Sequence, residues 1–138
     1  MDPNLLIIKR TKLVFPELSY KISGLLFITH NNLGRFCKEK IYGDALEKLL
    51  LEKRISFERE KKIDIKAGGL PITKNYTDFV VDNKMVIELK SKRFVERNDY
   101  VQTLRYLQLL NLPLALVVNF GQKFLKPKRI LNSALKQH

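Results

Sequence analysis

The sequence predicts an α/β protein in which a mixed β-sheet is flanked by helices. Two helical apolar patterns come first, and three β-prone segments follow, the last two of which flank a turn. A third helical pattern leads to a continuous apolar run at 114–119, which is typical of a strand covered on both faces. The predicted order is α-α-β-β-β-α-β, and a hairpin followed by a crossover helix and another strand implies a mixed sheet.

The first two predicted helices each carry an apolar stripe at helical spacing. The first covers residues 16–31, and Pro16 suits its first helical position. The second covers about 37–53, and its stripe consists of Ile41, Ala45, Leu46, Leu49 and Leu50. Each stripe is wide enough to pack an amphipathic helix against a core.

The β-prone segments begin with a predicted strand at 55–65, which alternates with charged residues and ends before a turn at 67–69. A predicted hairpin at 72–91 follows, with Asp82-Asn83-Lys84 as its loop. The third helix is predicted at 99–110, with Asn98 as its cap. A short strand at 129–131 is left open as an option.

Composition indicates a single domain over residues 1–138. The hydrophobic fraction is 45%, and a chain of 138 residues buries roughly two-thirds of its unfolded surface. Its apolar stretches are far shorter than the ~20 residues that span a bilayer, and no secretory signal is recognisable, so no membrane partner is expected. The single cysteine, Cys37, fits a reducing cytoplasm.

The charge favours a polyanionic partner. The chain has 26 basic and 14 acidic residues, a net charge of +12, and a tail from about 122 onward with no acid at all. Nucleic acid is favoured over membranes, ribosomes and acidic proteins, because each neutralised phosphate releases counterions. The basic residues expected to contact it are Lys92, Arg93, Arg97, Lys123, Lys126 and Lys128.

The hairpin carries the clearest candidate site. Its loop implies a register in which Val81 faces Met85 and Val80 faces Val86. The same register places Asp78 opposite Glu88. Cross-strand partners project from one face with Cβ atoms ~5 Å apart, and strand alternation adds Lys90 to that face. Two carboxylates on such apolar strands repel each other unless a cation lies between them. A hard divalent metal held by Asp78 and Glu88 satisfies this condition.

A hairpin with one solvated face is the alternative, because it also alternates apolar and charged residues. The segment 60–62 has consecutive charges, as expected of a solvated strand, and shows how easily Glu-x-Lys arises in a charged chain. Glu88 and Lys90 are instead single polar insertions in an apolar run. The spacing alone leaves both interpretations open.

Three further residues are candidates for this site. Glu39 lies at the start of the second helix, on the face of Tyr42 and Leu46, and could turn toward the metal, although an acid in the first turn also stabilises a helix terminus. Gln102 and Tyr106 share one face of the third helix, with Tyr106 a candidate contact to nucleic acid. A tyrosine at such a position is more often part of the core.

These residues together resemble the PD-(D/E)XK nuclease superfamily, and more closely its GxxExxY family. The resemblance covers nearly the whole chain, and its parts are PELSYKI at 16–22, HNNLG at 30–34, EKIY at 39–42, FERE at 57–60, TDF at 77–79, IELK at 87–90 and NFG at 119–121. The glycine of the family motif is replaced by Phe36, and the proline between its glycines by Arg35. The placement of Glu39 then depends on whether Phe36 must adopt a positive φ.

The resemblance implies a restriction-endonuclease-like core and a site residue by residue. Asp78, Glu88 and the backbone carbonyl of Leu89 would bind Mg²⁺ or Mn²⁺, with support from Glu39. Lys90 would stabilise the attacking hydroxide or the phosphate, and Gln102 would orient Lys90 or a phosphate. The implied function is metal-dependent hydrolysis of DNA or RNA; the alternative is a non-catalytic protein that binds nucleic acid or a partner and keeps the nuclease fold.

Overall fold

The computed structural model describes residues 14–63 and 76–133. It confirms the predicted order of elements and adds one strand at the end, where the sequence left an option open. The elements are α1 (Pro16–Leu33), α2 (Glu39–Glu52), β1 (Phe57–Lys62), β2 (Tyr76–Val81), β3 (Met85–Lys90), α3 (Arg97–Leu110), β4 (Leu114–Asn119) and β5 (Lys128–Leu131). No helix in the described part of the chain is long and apolar enough to cross a membrane.

The five strands form one mixed sheet in the order β1-β2-β3-β4-β5. β3 and β4 are parallel, with α3 as the crossover between them, and every other neighbouring pair is antiparallel. The predicted mixed sheet between helices is therefore confirmed. Parallel strands need a long connection of this kind, because a tight turn cannot return the chain to the same end of the sheet.

The sheet is covered on both faces. α1 and α2 pack on one face, through Ile22, Leu26, Tyr42, Leu46 and Leu50, against Phe79, Val81, Met85 and Ile87. α3 covers the other face, where Leu107 packs with Val80, Val86 and Ala115. β4 is buried along its whole length, as its continuous apolar run predicts.

Helix boundaries differ from the predicted ones at two caps. α1 continues to Leu33 and ends at Gly34, whose φ of 75° places it in the left-handed region that glycine tolerates. α3 begins at Arg97 rather than 99, so the prediction of Asn98 as its cap is wrong. Glu96 is the N-cap, and its side chain and that of Asp99 form a reciprocal capping box.

The hairpin loop has the predicted residues. Asp82 and Asn83 both have positive φ, which Asp and Asn tolerate in tight turns, and the Lys84 N–H donates to the Val81 carbonyl at 3.0 Å. The predicted turn at 67–69 and the start of the hairpin at 72–75 lie outside the described residues. Phe36 does not have a positive φ, so its replacement of a glycine does not strain the entry to α2.

Candidate functional site

The β2–β3 hairpin brings Asp78 and Glu88 together. The strands pair Phe79 with Ile87, Val80 with Val86 and Val81 with Met85, which confirms the predicted register. Beyond Phe79, carboxylate oxygens accept hydrogen bonds from backbone N–H groups of the facing strand. The Asp78 N–H donates to Glu88 Oε1 at 3.2 Å, and the Leu89 N–H donates to Asp78 Oδ2 at 2.7 Å. Each carboxylate is thus anchored by the strand opposite its own.

The surroundings of the two carboxylates differ. Glu88 is only 1% exposed, whereas Asp78 is half-buried. Strand alternation places Glu88 on the face of Val86, which α3 covers. A carboxylate this buried needs hydrogen bonds or a cation to remain charged, and the Asp78 N–H supplies one such bond. The pair therefore joins a buried carboxylate to one that faces a cleft.

Regular pairing also skips Asp78 on its other side. β1 and β2 pair on both sides of this position in one register, with Arg59 opposite Phe79 and Lys61 opposite Thr77, but Glu60 and Asp78 form no regular pair. Glu60 has a φ of 55°, a left-handed conformation that is unfavourable for a residue other than glycine. Backbone strain of this kind is common at functional sites, so its position beside Asp78 agrees with a site there.

Asp78 opens into a cleft of about 580 Å³ between α2 and the sheet. We call it the acid-lined cleft, because five acidic residues line it: Glu39, Asp44, Glu47, Glu60 and Asp78. Leu89 of β3 also lines it. Arg59 pairs with Asp44 at 2.7 Å and with Glu47 at 2.9 Å. Hydrogen bonds from Arg59 and Lys40 hold the pKa of Asp44 below its usual range. Two of the acids thus already have a cationic partner.

Lys90 extends from the same strand as Glu88 toward the start of α3. Its side chain is 14% exposed, and its Nζ lies 3.8 Å from Asp99 Oδ1. The other oxygen of Asp99 pairs with Lys92. Burial opposes ionisation of Asp99, but hydrogen bonds from Lys92 and the Glu96 N–H, with the charge of Lys90, hold its pKa below the usual value. Asp99 therefore fixes both lysines.

Asp99 was not among the site residues predicted from the sequence. Its signal was present in the Glu96-x-x-Asp99 spacing, which suits a capping box at a helix start. That spacing predicts the helix boundary but not the contact with Lys90, because the contact depends on where α3 docks at the end of β3. The hydrogen bond to Asp99 raises the pKa of Lys92, which keeps that side chain charged.

A second and larger cleft, of about 1010 Å³, contains part of the predicted basic surface. It is formed by three connections, at 35–40, 91–94 and 121–123, and we call it the basic–aromatic cleft. Lys92, Arg93 and Lys123 line it, as do Phe36 and Phe94. Glu39 and Lys40 line both clefts, so the two clefts meet at the start of α2.

The remaining basic residues of the prediction lie elsewhere. Arg97 and Lys126 are exposed but do not line the basic–aromatic cleft. Lys128 lies on β5, with its Nζ 4.6 Å from the centre of the Tyr100 ring. The predicted nucleic-acid surface thus divides into three cleft residues and three residues outside it.

The connections of this cleft are held by specific hydrogen bonds. Ser91 Oγ donates to the Cys37 carbonyl at 2.6 Å, which ties the first connection to the second. Asn119 accepts from the Lys92 N–H at 3.1 Å and donates to the Lys92 carbonyl at 2.8 Å. Gly121 lies so close to the backbone of Lys92 that an added Cβ would be 2.3 Å from the Lys92 carbonyl oxygen. Only glycine fits there without a shift in the backbone.

Tyr42 sets the start of α2 against this framework. Its ring stacks on Phe120 with centroids 4.2 Å apart, and its hydroxyl donates to the Gly34 carbonyl. Burial raises the pKa of Tyr42, so the hydroxyl keeps the proton that it donates. The connection that contains Phe36 and leads to Glu39 is therefore fixed at both ends.

A family model of the PD-(D/E)XK nuclease superfamily matches residues 16–130, which is most of the chain and includes both clefts. The chain belongs to the PD-(D/E)XK nuclease superfamily. Comparisons with curated proteins and with solved structures gave no significant match. The mixed sheet flanked by helices agrees with a nuclease core of this superfamily, whose members generally use divalent metal ions such as Mg²⁺.

The donor atoms at Asp78, Glu88 and Leu89 suit Mg²⁺ or Mn²⁺. Residues 14–63 and 76–133 contain no group of three or more His, Cys, Asp or Glu able to hold a metal ion, so Glu39 does not form one with Asp78 and Glu88. Mg²⁺ needs only one or two carboxylates with water and substrate oxygens. The Leu89 carbonyl adds a candidate ligand, because the N–H and C=O of a strand residue point to the same neighbour and this N–H binds Asp78. These groups fit the ion.

Gln102 and Tyr106 form a hydrogen bond with each other in α3. Gln102 Nε2 donates to the Tyr106 hydroxyl at 2.6 Å, and Tyr106 is 1% exposed. Tyr106 is therefore a core residue, as the alternative interpretation holds, and not part of a surface that contacts nucleic acid. Gln102 is half-buried on the face of α3 near the sheet, and its role toward Lys90 or a phosphate stays a prediction.

Proposed function

We propose that this protein is a Mg²⁺- or Mn²⁺-dependent nuclease that hydrolyses phosphodiester bonds in DNA or RNA. The observation that carries the proposal is the exchange of hydrogen bonds between the β2 and β3 strands through the carboxylates of Asp78 and Glu88. Membership of the PD-(D/E)XK superfamily supports the same reaction. A pair held in this way is pre-organised, which is what a metal-assisted reaction requires.

Asp78 and Glu88, with the Leu89 carbonyl, are the proposed metal ligands. A bound metal ion of this kind polarises a phosphoryl oxygen and lowers the pKa of a coordinated water. The anchoring N–H of Leu89 and that of Asp78 keep the two carboxylates in place when substrate approaches. Glu39, at the wall shared by both clefts, would support the site from α2 without binding the metal as a third carboxylate.

Lys90 would stabilise the negative charge that develops on the phosphate or the attacking hydroxide. Its half-buried position beside Asp99 limits its rotamers. A charge that is already positioned costs little reorganisation when the transition state forms. Gln102 would act on Lys90 or a phosphate after its bond to Tyr106 rearranges.

A non-catalytic nucleic-acid-binding protein that keeps the nuclease fold is the second candidate. The basic–aromatic cleft favours it, because this cleft can bind a polyanion without any metal. An intact Asp78–Glu88 pair favours the nuclease, since binding alone gives no reason to hold a second carboxylate against the buried Glu88. As part of the nuclease proposal, we also propose that the protein belongs to the GxxExxY family and that it acts in the cytoplasm.

A cleavage assay separates the two candidates. Wild-type protein is incubated with single- and double-stranded DNA and RNA in Mg²⁺, Mn²⁺ or EDTA, beside Asp78→Asn and Glu88→Gln. We expect metal-dependent cleavage by the wild type only, because both variants keep their shape but lose a charge that the cation needs. Absence of cleavage, or equal cleavage by the variants, would contradict the nuclease and favour the binding protein.

A further inference from the structure

Three dipeptides in which a basic residue precedes phenylalanine surround the basic–aromatic cleft. The three phenylalanines are among the most exposed large apolar side chains of the described chain: Phe36 is 88%, Phe124 71% and Phe94 67% exposed. Phe36 and Phe94 line the cleft directly, and Phe124 follows the lining residue Lys123. Apolar rings clustered at a cleft in this way are typical of a ligand surface.

Each of these rings carries the cation of the residue before it. Arg35 Cζ lies 4.9 Å from the centre of the Phe36 ring, Arg93 Cζ 5.6 Å from that of Phe94, and Lys123 Nζ 5.6 Å from that of Phe124. The contacts hold a positive charge next to each ring. Aromatic faces beside fixed cations are the two features with which proteins bind bases and phosphates of a single strand.

We infer that the substrate of the proposed nuclease is single-stranded nucleic acid, or an unpaired segment, whose bases stack on Phe36 and Phe94. In a duplex the faces of the bases are covered by their neighbours, so exposed rings gain nothing from them. An unpaired strand can turn its bases onto the rings while its phosphates meet Lys92, Arg93 and Lys123. That the bound strand is then cleaved rests on the proposed function. The binding itself does not depend on cleavage.

The cleft is built to hold such a strand and to deliver it. The Ser91–Cys37 hydrogen bond joins the connection that contains Phe36 to the one that contains Phe94, so the backbones that carry the two rings are held together. His30 Nε2 donates to the Gln122 carbonyl at 2.8 Å and fixes the third connection. Since Glu39 and Lys40 line both clefts, a strand in the basic–aromatic cleft leads directly toward Asp78.

Fluorescence anisotropy in EDTA tests the inference, because no cleavage occurs there. The probes are a labelled single strand, the duplex of the same sequence and an abasic single strand of equal length. The proteins are the wild type, Phe36→Ala, Phe94→Ala and the control Phe27→Ala, which removes a 43% exposed ring of α1 outside the cleft. Thermal melts show that each variant is folded at the assay temperature.

We expect the wild type to bind the single strand at least about 10-fold more tightly than the duplex. Phe36→Ala and Phe94→Ala should each weaken single-strand binding roughly 5- to 100-fold, the effect of one lost base stack. The salt dependence should stay unchanged, since no phosphate contact is lost, and Phe27→Ala should bind as the wild type does. The abasic strand should bind all four proteins alike.

Other outcomes would overturn the inference. These are equal affinity for duplex and single strand, full binding by both cleft variants, or an equal loss in Phe27→Ala. They leave the nuclease proposal standing if Mg²⁺-dependent cleavage is present. Conversely, selective single-strand binding without cleavage in Mg²⁺ or Mn²⁺ would support the inference about the ligand and refute only the nuclease.

Discussion

The two clefts share a wall at Glu39 and Lys40 but differ in almost every property that selects a ligand. The acid-lined cleft presents carboxylates from α2, β1 and β2, and is where we propose that a divalent cation binds. The basic–aromatic cleft presents lysines, arginines and exposed phenylalanines, and suits a polyanion with unpaired bases. A nuclease needs both, because the cation that activates the phosphate and the strand that carries the phosphate must meet.

The clefts also differ in how the fold holds their residues. Asp78 and Glu88 lie on strands, and backbone N–H groups of the facing strand fix their carboxylates. Phe36 and Phe94 lie on connections, which a small set of side-chain hydrogen bonds ties to the sheet. Rigid strands suit reacting groups that tolerate little displacement, and connections suit binding residues. The two functions should therefore respond separately to mutation.

Lys90 and Lys92 give the largest expected separation. Both pair with Asp99, but Lys90 is assigned to the reaction and Lys92 to binding of the strand. Lys90→Ala should lower the cleavage rate at saturating substrate about 10²–10³-fold with little change in affinity, because its interaction is made in the transition state. Lys92→Ala should weaken binding and reduce the salt slope by about one phosphate. Equal rate losses in single-turnover assays would contradict the separation.

A substitution at Gly121 tests the close contact between the connection that follows β4 and the backbone of Lys92. In Gly121→Ala the added Cβ would lie 2.3 Å from the oxygen and 2.9 Å from the nitrogen of Lys92, both backbone atoms. The free energy of unfolding should fall by about 1–3 kcal/mol, and strand binding should weaken with it.

The control is Gly24→Ala on the exposed side of α1, where nothing lies within 4 Å of the added Cβ. Alanine in a helix should raise the free energy of unfolding by roughly 0.5–1 kcal/mol. Urea denaturation measures both variants. A Gly121→Ala protein as stable as the wild type would show that the close approach to Lys92 is not needed.

Asp99 links the lysines of the two functions, and its effect should depend on pH. Its pKa is lowered in the folded protein, so its stabilisation is complete above the unfolded value of about 3.9 and is lost as the pH falls through the folded value. Asp99→Asn should therefore lower the free energy of unfolding by about 1–2 kcal/mol at pH 7, with the difference closing below about pH 4.

Asp82→Asn is the matched control for this pH series. Asp82 pairs with the half-exposed Lys84 in the hairpin turn, and asparagine tolerates its positive φ. Its effect should stay within about 0.5 kcal/mol at every pH. An Asp99→Asn difference that is constant from pH 3 to pH 7 would mean that the charge of Asp99 has no part in its contribution.

The acid pair could be predicted from sequence because its geometry is local. The Asp82-Asn83-Lys84 loop fixes the register of β2 on β3, and the register brings Asp78 to Glu88. The crossover to β4 followed from a helical pattern between two apolar strands. The cap at Asn98 was predicted wrongly because Glu96 and Asp99 satisfy the first turn of α3 between them.

The second cleft could not be predicted in the same way. Phe36 and Phe94 are 58 residues apart along the chain, and they line one cleft only because the connections that carry them reach the same end of the sheet. The contacts of Asp99 with Lys90 and Lys92 likewise depend on how α3 docks. Burial of Tyr106 follows from packing that its spacing from Gln102 does not reveal.

The most direct test of the account is the stabilisation of the protein by Mn²⁺. Thermal melts with and without the ion compare the wild type with Asp78→Asn, Glu88→Gln and Glu47→Gln, the last of which removes an acid of the same cleft that pairs with Arg59. Mn²⁺ at 100 times its Kd should stabilise the wild type and Glu47→Gln by about 2.7 kcal/mol, and should leave the other two unchanged. If Mn²⁺ stabilises no protein, or if Glu47→Gln alone loses the effect, Asp78 and Glu88 are not the metal ligands.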